Sequence, residues 1–133
     1  MKGGTGIPNL YWYGIEHNYR ALVIDNLGPS LEQLLKYCNG VFTLKTVLLL
    51  ADQILDRIEW VHSKGLVYNN IDPGNFVVGL GEKQDKIFLV DFGSCQKFVD
   101  ENGSHKTFGG EEMEFKWNRR FRSINSHIKK SKI

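Results

Sequence analysis

Cysteine is scarce in this chain, and so are excess charge of either sign and long apolar runs. Its 133 residues hold only two cysteines, Cys38 and Cys95. They are far apart, lack C-x-x-C spacing and form no ligand grouping with the four histidines. That excludes a disulfide framework and a cysteine-histidine zinc site, and it points to reduced thiols in an intracellular protein of the cytoplasm or nucleus. The longest apolar run, Val47 to Ala51, is far too short to span a bilayer, and the N-terminus lacks the basic-then-apolar pattern of a secretory signal. A net charge of +2 with 41% hydrophobic residues demands neither a nucleic-acid nor a membrane partner. No internal repeat and no long low-complexity segment is present. The length fits one domain or part of one, enough to bury a core.

The Gly-rich opening Gly3-Gly4-Thr5-Gly6 cannot hold a helix, and with no G-x-G-x-x-G leading into a strand it is not a phosphate-binding loop. Pro8-Asn9 turns into a strand over Leu10 to Gly14, and the polar turn Glu16-His17-Asn18 returns a partner strand, Tyr19 to Asp25, which makes a hairpin. Asn26-Leu27-Gly28-Pro29 breaks that strand. Ser30 with Gln33 three residues on matches a capping box for a short helix to about Cys38, ended by Asn39-Gly40. A second helix starts at Thr43. Its apolar positions Val47, Ala51, Ile54, Ile58 and Val61, widened by Leu48 and Leu55, define one face and predict a buried core helix. Lys64-Gly65 closes it. His62, in its last turn, fits a structural or dipole-facing residue better than a catalyst.

Two polar clusters follow, each at the end of a short apolar strand. Leu66-Val67 leads into Tyr68-Asn69-Asn70-Ile71-Asp72-Pro73-Gly74-Asn75, Phe76-Val77-Val78 follows, and Ile87-Phe88-Leu89-Val90 runs into Asp91-Phe92-Gly93. A strand, a loop and a second strand ending in Asp bring Asn75 and Asp91 to one rim, where an amide oxygen and a carboxylate can share a hard divalent cation between phosphate oxygens. The competing reading of the second cluster is an ordinary strand-end turn. Beyond it, Asp100 to Glu114 is acidic and Gly-rich, whereas Phe115 to Ile133 is basic with no acidic residue. Both are solvated segments in the plainer reading, although the Lys129-Lys130-Ser131-Lys132 tail is also able to touch nucleic acid or anionic lipid.

The loop and D-F-G resemble the catalytic loop and metal-binding motif of a protein kinase. Further stretches narrow that resemblance: Gly3-Gly4-Thr5-Gly6-Ile7-Pro8, Leu27-Gly28-Pro29-Ser30-Leu31-Glu32, Phe42 to Ile54, Val61-His62-Ser63-Lys64 and, above all, Ser123-Ile124-Asn125-Ser126-His127. Together they look like the middle of a casein kinase 1 family serine/threonine kinase, over about Met1 to His127 and weakest between Val99 and Arg122. The resemblance implies a partial protein-kinase-like fold of the α+β class, with a strand pair, then the first part of the helical C-lobe through the activation segment. Residues 1–28 would be the end of the N-lobe and the hinge, 29–127 the C-lobe start through the activation segment, and 128–133 a basic tail. Ile24 would be the gatekeeper, Asp25, Asn26 and Leu27 the purine-binding hinge, and Asn75 and Asp91 the metal ligands. Arg120 would belong to an anion-binding surface for acidic or phosphorylated substrates. ATP and Mg²⁺ are the implied cofactors, and a protein substrate or partner, met by a monomer, the implied interaction.

Several residues depart from the family pattern. Asn70 stands at the catalytic Asp position and cannot take a proton at useful pH; Asp72 stands at the loop Lys position and reverses a charge beside the transferred phosphate. Asn69 replaces Arg, Gly74 an acidic residue, and Trp117-Asn118 the family's Gly-Thr, while Tyr68 for His occurs within the family. The kinase Gly-rich loop, strand Lys and helix Glu would lie before Met1 and the helix beneath the catalytic loop after Ile133, so that faces built to meet them would be exposed. The expectation is a kinase-domain fragment with little or no phosphoryl transfer. The alternatives are a pseudokinase scaffold that binds nucleotide weakly or a protein partner, and a truncated product without folded function.

Overall fold

Two antiparallel strands open the structure because runs rich in aromatic and β-branched residues on both sides of a two-residue turn favour extended pairing. The computed structural model describes residues 3–100, 102–105, 119–121 and 123–124. Trp117-Asn118, Asn125-Ser126-His127, the basic tail and most of the acidic segment lie outside the described residues. Strand β1 (Leu10–Glu16) pairs with β2 (Tyr19–Ile24), with Tyr13 opposite Leu22 and a register irregularity between Leu10 and Trp12. Glu16, expected in the turn, pairs with Tyr19 instead. His17 takes a positive φ of 53° and carries the tight turn, which lets the ladder run further than the polar character of Glu16 suggested.

The capping box forms as the sequence predicts. Ser30 Oγ accepts from the Gln33 N–H at 3.3 Å and the Gln33 side chain accepts from the Ser30 N–H at 2.8 Å, which fixes the start of α1 (Leu31–Tyr37). At its end the Gly40 N–H reaches the Leu35 carbonyl at 2.8 Å, with Gly40 at a φ of +81° that favours glycine. Thr43 caps α2 (Leu44–Ser63), its Oγ1 accepting from the Thr46 N–H at 3.2 Å. Gly65, at a φ of +70°, ends it with a bond to the His62 carbonyl.

Two short pairings follow the helices. Strand β3 (Leu66–Val67) pairs with β6 (Gln96–Lys97), and β4 (Phe76–Val78) pairs with β5 (Ile87–Leu89), all antiparallel. The class is therefore α+β, built among the described residues from antiparallel strand pairs with helices α1 and α2. The chain divides into two units, Met1–Trp60 with Pro73–Asp91 and Val61–Asp72 with Phe92–Ile133. In the first, Phe76, Ile87, Phe88, Leu89, Leu31 and Ile7 form the core; in the second, Val61 and Tyr68 are the fully buried side chains.

The expectation of a buried core helix at α2 is corrected. Val61 is buried and Ile54 and Ile58 are half-buried, but Val47, Leu48, Ala51 and Leu55 are exposed. The group on this helix that goes deepest in the first unit is instead Arg57, 4% exposed. Its guanidinium donates from Nε to the Ile87 carbonyl at 3.1 Å and from a terminal nitrogen to Gln53 Oε1 at 3.2 Å. Gln53 in turn accepts from the Ile87 N–H at 2.8 Å and donates to the Asp85 carbonyl at 3.0 Å, so that one turn of α2 clamps the β4–β5 ribbon by its backbone. Among the described residues no helix is long and apolar enough to cross a membrane.

Candidate functional site

The segment after β2 is held at both ends and left open between them. Asp25 donates its N–H to the Asn9 carbonyl at 3.2 Å, and Gly28 donates to the Val78 carbonyl at 2.8 Å, while the Val78 N–H bonds the Pro29 carbonyl at 3.0 Å. Asn26 and Leu27, between these anchors, form no hydrogen bond with any described residue. Asn26 and Leu27, together with Asp25, Leu80, Glu82 and Lys83, line a cleft of about 290 Å³. Ile24 is half-buried at the end of β2 and does not line this cleft.

Asp25 is held by residues that its neighbours in sequence do not announce. Its carboxylate accepts from the Asn9 N–H at 2.7 Å and from the Tyr11 hydroxyl at 2.8 Å. The Asn9 backbone donor first, and the Tyr11 hydroxyl second, hold its pKa below the ordinary carboxylate value. The same contact holds the Tyr11 hydroxyl above the usual phenol value, since ionising it would place two anions together. A lowered carboxylate pKa contributes stability that is present above about pH 4 and is lost as pH falls through the folded value; the raised Tyr11 contributes below about pH 10 and is lost as pH rises. Tyr11→Phe is expected to move the Asp25 pKa upward without restoring it fully, because the larger Asn9 contribution stays. A carboxyl-carbon NMR titration reads this directly, and an unmoved Asp25 in the variant would show that the hydroxyl is not its partner.

The metal-ligand candidates sit on the β4–β5 ribbon of the same unit. Asn75 immediately precedes β4, Val90 and Asp91 follow β5, and Phe76 lies opposite Leu89, so antiparallel register puts Asn75 and Asp91 at the same end of the ribbon. The Val90 N–H donates to the Asn75 carbonyl at 2.9 Å and closes that end. Asp91 is exposed and has a φ of 58°, a left-handed conformation that Asp tolerates better than most residues and that is concentrated at functional positions. Among the described residues no three or more His, Cys, Asp or Glu converge as a metal cage. Asn75 and Asp91 supply an amide oxygen and a carboxylate, ligand types that a magnesium ion accepts when water and phosphate oxygens complete its shell.

Asn70 and Asp72 belong to the second unit, in a loop locked from its own side. The Asn70 N–H bonds the Tyr68 carbonyl at 2.9 Å across Asn69, which takes a φ of 68°. The Asn69 side-chain amide donates to the Ser94 carbonyl and to Gln96 Oε1, both at 3.0 Å, and the Ser94 hydroxyl donates to the Tyr68 carbonyl at 2.8 Å. Tyr68 also meets Phe92 edge to face, with ring centroids 5.9 Å apart. Amide and hydroxyl groups therefore contribute to holding this loop. Asn70 and Asp72 are both half-buried. Arg120, also in this unit, is exposed on a single 3₁₀ turn, its guanidinium 5.7 Å from the Phe121 ring centroid. His62 is exposed and lies edge-on to Phe98, with ring centroids 6.3 Å apart.

Asn9, Tyr11, Leu80 and Lys83 were not signalled by sequence. No short-range spacing marks a residue fourteen or more positions from the group it serves. No protein-family model matches the chain.

Proposed function

We propose that this chain is a segment of a casein-kinase-1-like serine/threonine kinase domain that keeps a purine-binding hinge and a magnesium-binding pair but does not transfer phosphate. The observation that carries the reading is the Asp25-to-Gly28 segment, pinned at Asn9 and Val78, with Asn26 and Leu27 unbonded beside a cleft. The kinase-like fold and the family assignment rest on the loop and D-F-G pattern together with that segment. In this reading Leu27 and the hinge backbone bond the purine edge, and Asn75 and Asp91 hold Mg²⁺ against the phosphates. The metal would neutralise phosphate charge. Asn70 positions a hydroxyl without accepting its proton, and Asp72 repels the phosphate that the family's Lys would attract. Arg120 offers a positive group to an acidic or phosphorylated protein partner.

A thermal-shift titration tests this. With a dissociation constant of about 1 mM, 10 mM ATP with Mg²⁺ stabilises by about 1.4 kcal/mol, or roughly 5 °C for a chain of this size. Asp91→Ala is expected to remove the Mg²⁺-dependent part and leave an adenosine effect, because only the phosphates need the metal. A cooperative melt that neither ATP nor adenosine moves would overturn nucleotide binding and leave a partner-binding scaffold; no cooperative melt at all would favour a chain without folded function.

A further inference from the structure

Helix α2 turns its leucines outward in a regular order. Leu44, Leu48 and Leu55 are 73%, 61% and 67% exposed, and Ala51, between the last two, is exposed as well. Steps of four, three and four residues place these side chains on one stripe, the spacing of a coiled-coil seam. Folded monomers seldom leave such a contiguous apolar surface to water. Along one edge of the stripe, at steps of seven, stand Lys45, Asp52 and Glu59, all exposed. Along the other edge lie Val47 and Ile54.

The charges choose the occupant and its direction. In a parallel pair of α2 helices the charged edge would meet the apolar edge of the neighbour, with no partner for any of its three charges. In an antiparallel pair like edges meet, and Lys45 of each copy faces Glu59 of the other, twice by symmetry. Only Asp52 then meets its own counterpart, near the two-fold axis. We propose that the α2 stripe is a homodimer face on which two copies of this chain pack antiparallel, in place of the monomer expected from the sequence. The inference stands on α2 alone and does not depend on the kinase-like reading.

The face is small, so the dimer is weak. From Leu44 to Glu59 the stripe is about 24 Å long at a rise of about 1.5 Å per residue, which places the interface at or below the low end of specific contacts and the dissociation constant in roughly the tens of micromolar. Sedimentation of the whole chain between about 5 and 300 µM is expected to show a reversible monomer–dimer equilibrium that weakens with salt. Leu48→Asp is expected to leave a monomer throughout, with unchanged helix content because Leu48 already faces water. Lys45→Glu and Glu59→Lys are each expected to weaken the dimer roughly tenfold, and the double variant to recover most of that loss by rebuilding both pairs in reverse. Asp52→Asn is expected to tighten it. A monomer at 300 µM would show that something else covers the stripe and would overturn the proposal. So would a dimer that survives Leu48→Asp, or a double charge variant no stronger than the single ones.

Discussion

Gly6→Ala is expected to lower the melting temperature of the first unit by roughly 10 °C or more, equivalent to about 3–5 kcal/mol. Gly6 has a φ of +71°, and a methyl group built on it would fall on the Nε of Arg57 and on the carbonyl oxygen of Ile87. Those two atoms bond one another at 3.1 Å in the buried clamp, so neither is free to retreat. The Gly6 carbonyl also accepts from the Leu89 N–H at 2.8 Å, which ties the glycine to the ribbon it would have to leave. Left-handed strain costs about 1–2 kcal/mol, overpacking about 1–3, and a weakened charge-assisted bond to a buried guanidinium about 1.5–3. Gly81 supplies the control. Its φ is +59° with open space where a methyl would go, so Gly81→Ala should cost only the strain. Equal melting temperatures for the two variants would show that the Arg57 clamp does not hold the unit together.

That clamp also marks where sequence reasoning stopped. The period of α2 and the capping box of α1 are local properties, written within four or five residues of one another, and both helices appear where those patterns place them. The hairpin is legible for the same reason, with a two-residue error at Glu16. An apolar period identifies a helix but not the neighbour it meets. Leu48 and Leu55 satisfy the helical pattern as well as Val61 does, yet they lie in water while Val61 is fully buried. Arg57 shows the converse: a cation expected at the surface is buried, because the Ile87 carbonyl and Gln53, 30 and four positions away, receive its donors.

The candidate site divides along the same line. That Asn75 and Asp91 fall at the same end of the ribbon follows from the sequence pattern, because two strands joined by a turn bring the start of one to the end of the other. The left-handed backbone at Asn69 and Asp91 does not, since Asn and Asp permit that conformation without requiring it. Nor does the support behind Asp25, whose bonds from Asn9 and Tyr11 depend on the hairpin's fold-back. The cation Lys83 enters the cleft lining from the turn between β4 and β5, a segment that carries no motif.

Incubated with ATP, Mg²⁺ and either casein or an acidic peptide, the unaltered chain is expected to transfer no detectable phosphate. Kinases turn over at about 1–100 per second, and loss of the proton-accepting group alone costs about 10²–10⁴-fold. In the proposed kinase reading Asn70 stands at that position, and its amide accepts a hydrogen bond but cannot take up a proton at any useful pH. In the same reading half-buried Asp72 stands where the family has Lys, and a charge reversal beside a transferred phosphate costs several kcal/mol, a further factor of about a thousand. The two losses act on different atoms, the attacking hydroxyl and the transferred phosphoryl group, so they multiply to a rate below about 10⁻³ per second. The loop's Asn69 amide and the Ser94 hydroxyl are engaged with backbone carbonyls. Radiolabel transfer with the thermal-shift titration run in parallel separates two kinds of silence: nucleotide bound without turnover places the defect in the chemistry at Asn70 and Asp72, whereas turnover within tenfold of the kinase range would show that this loop is not the catalytic loop.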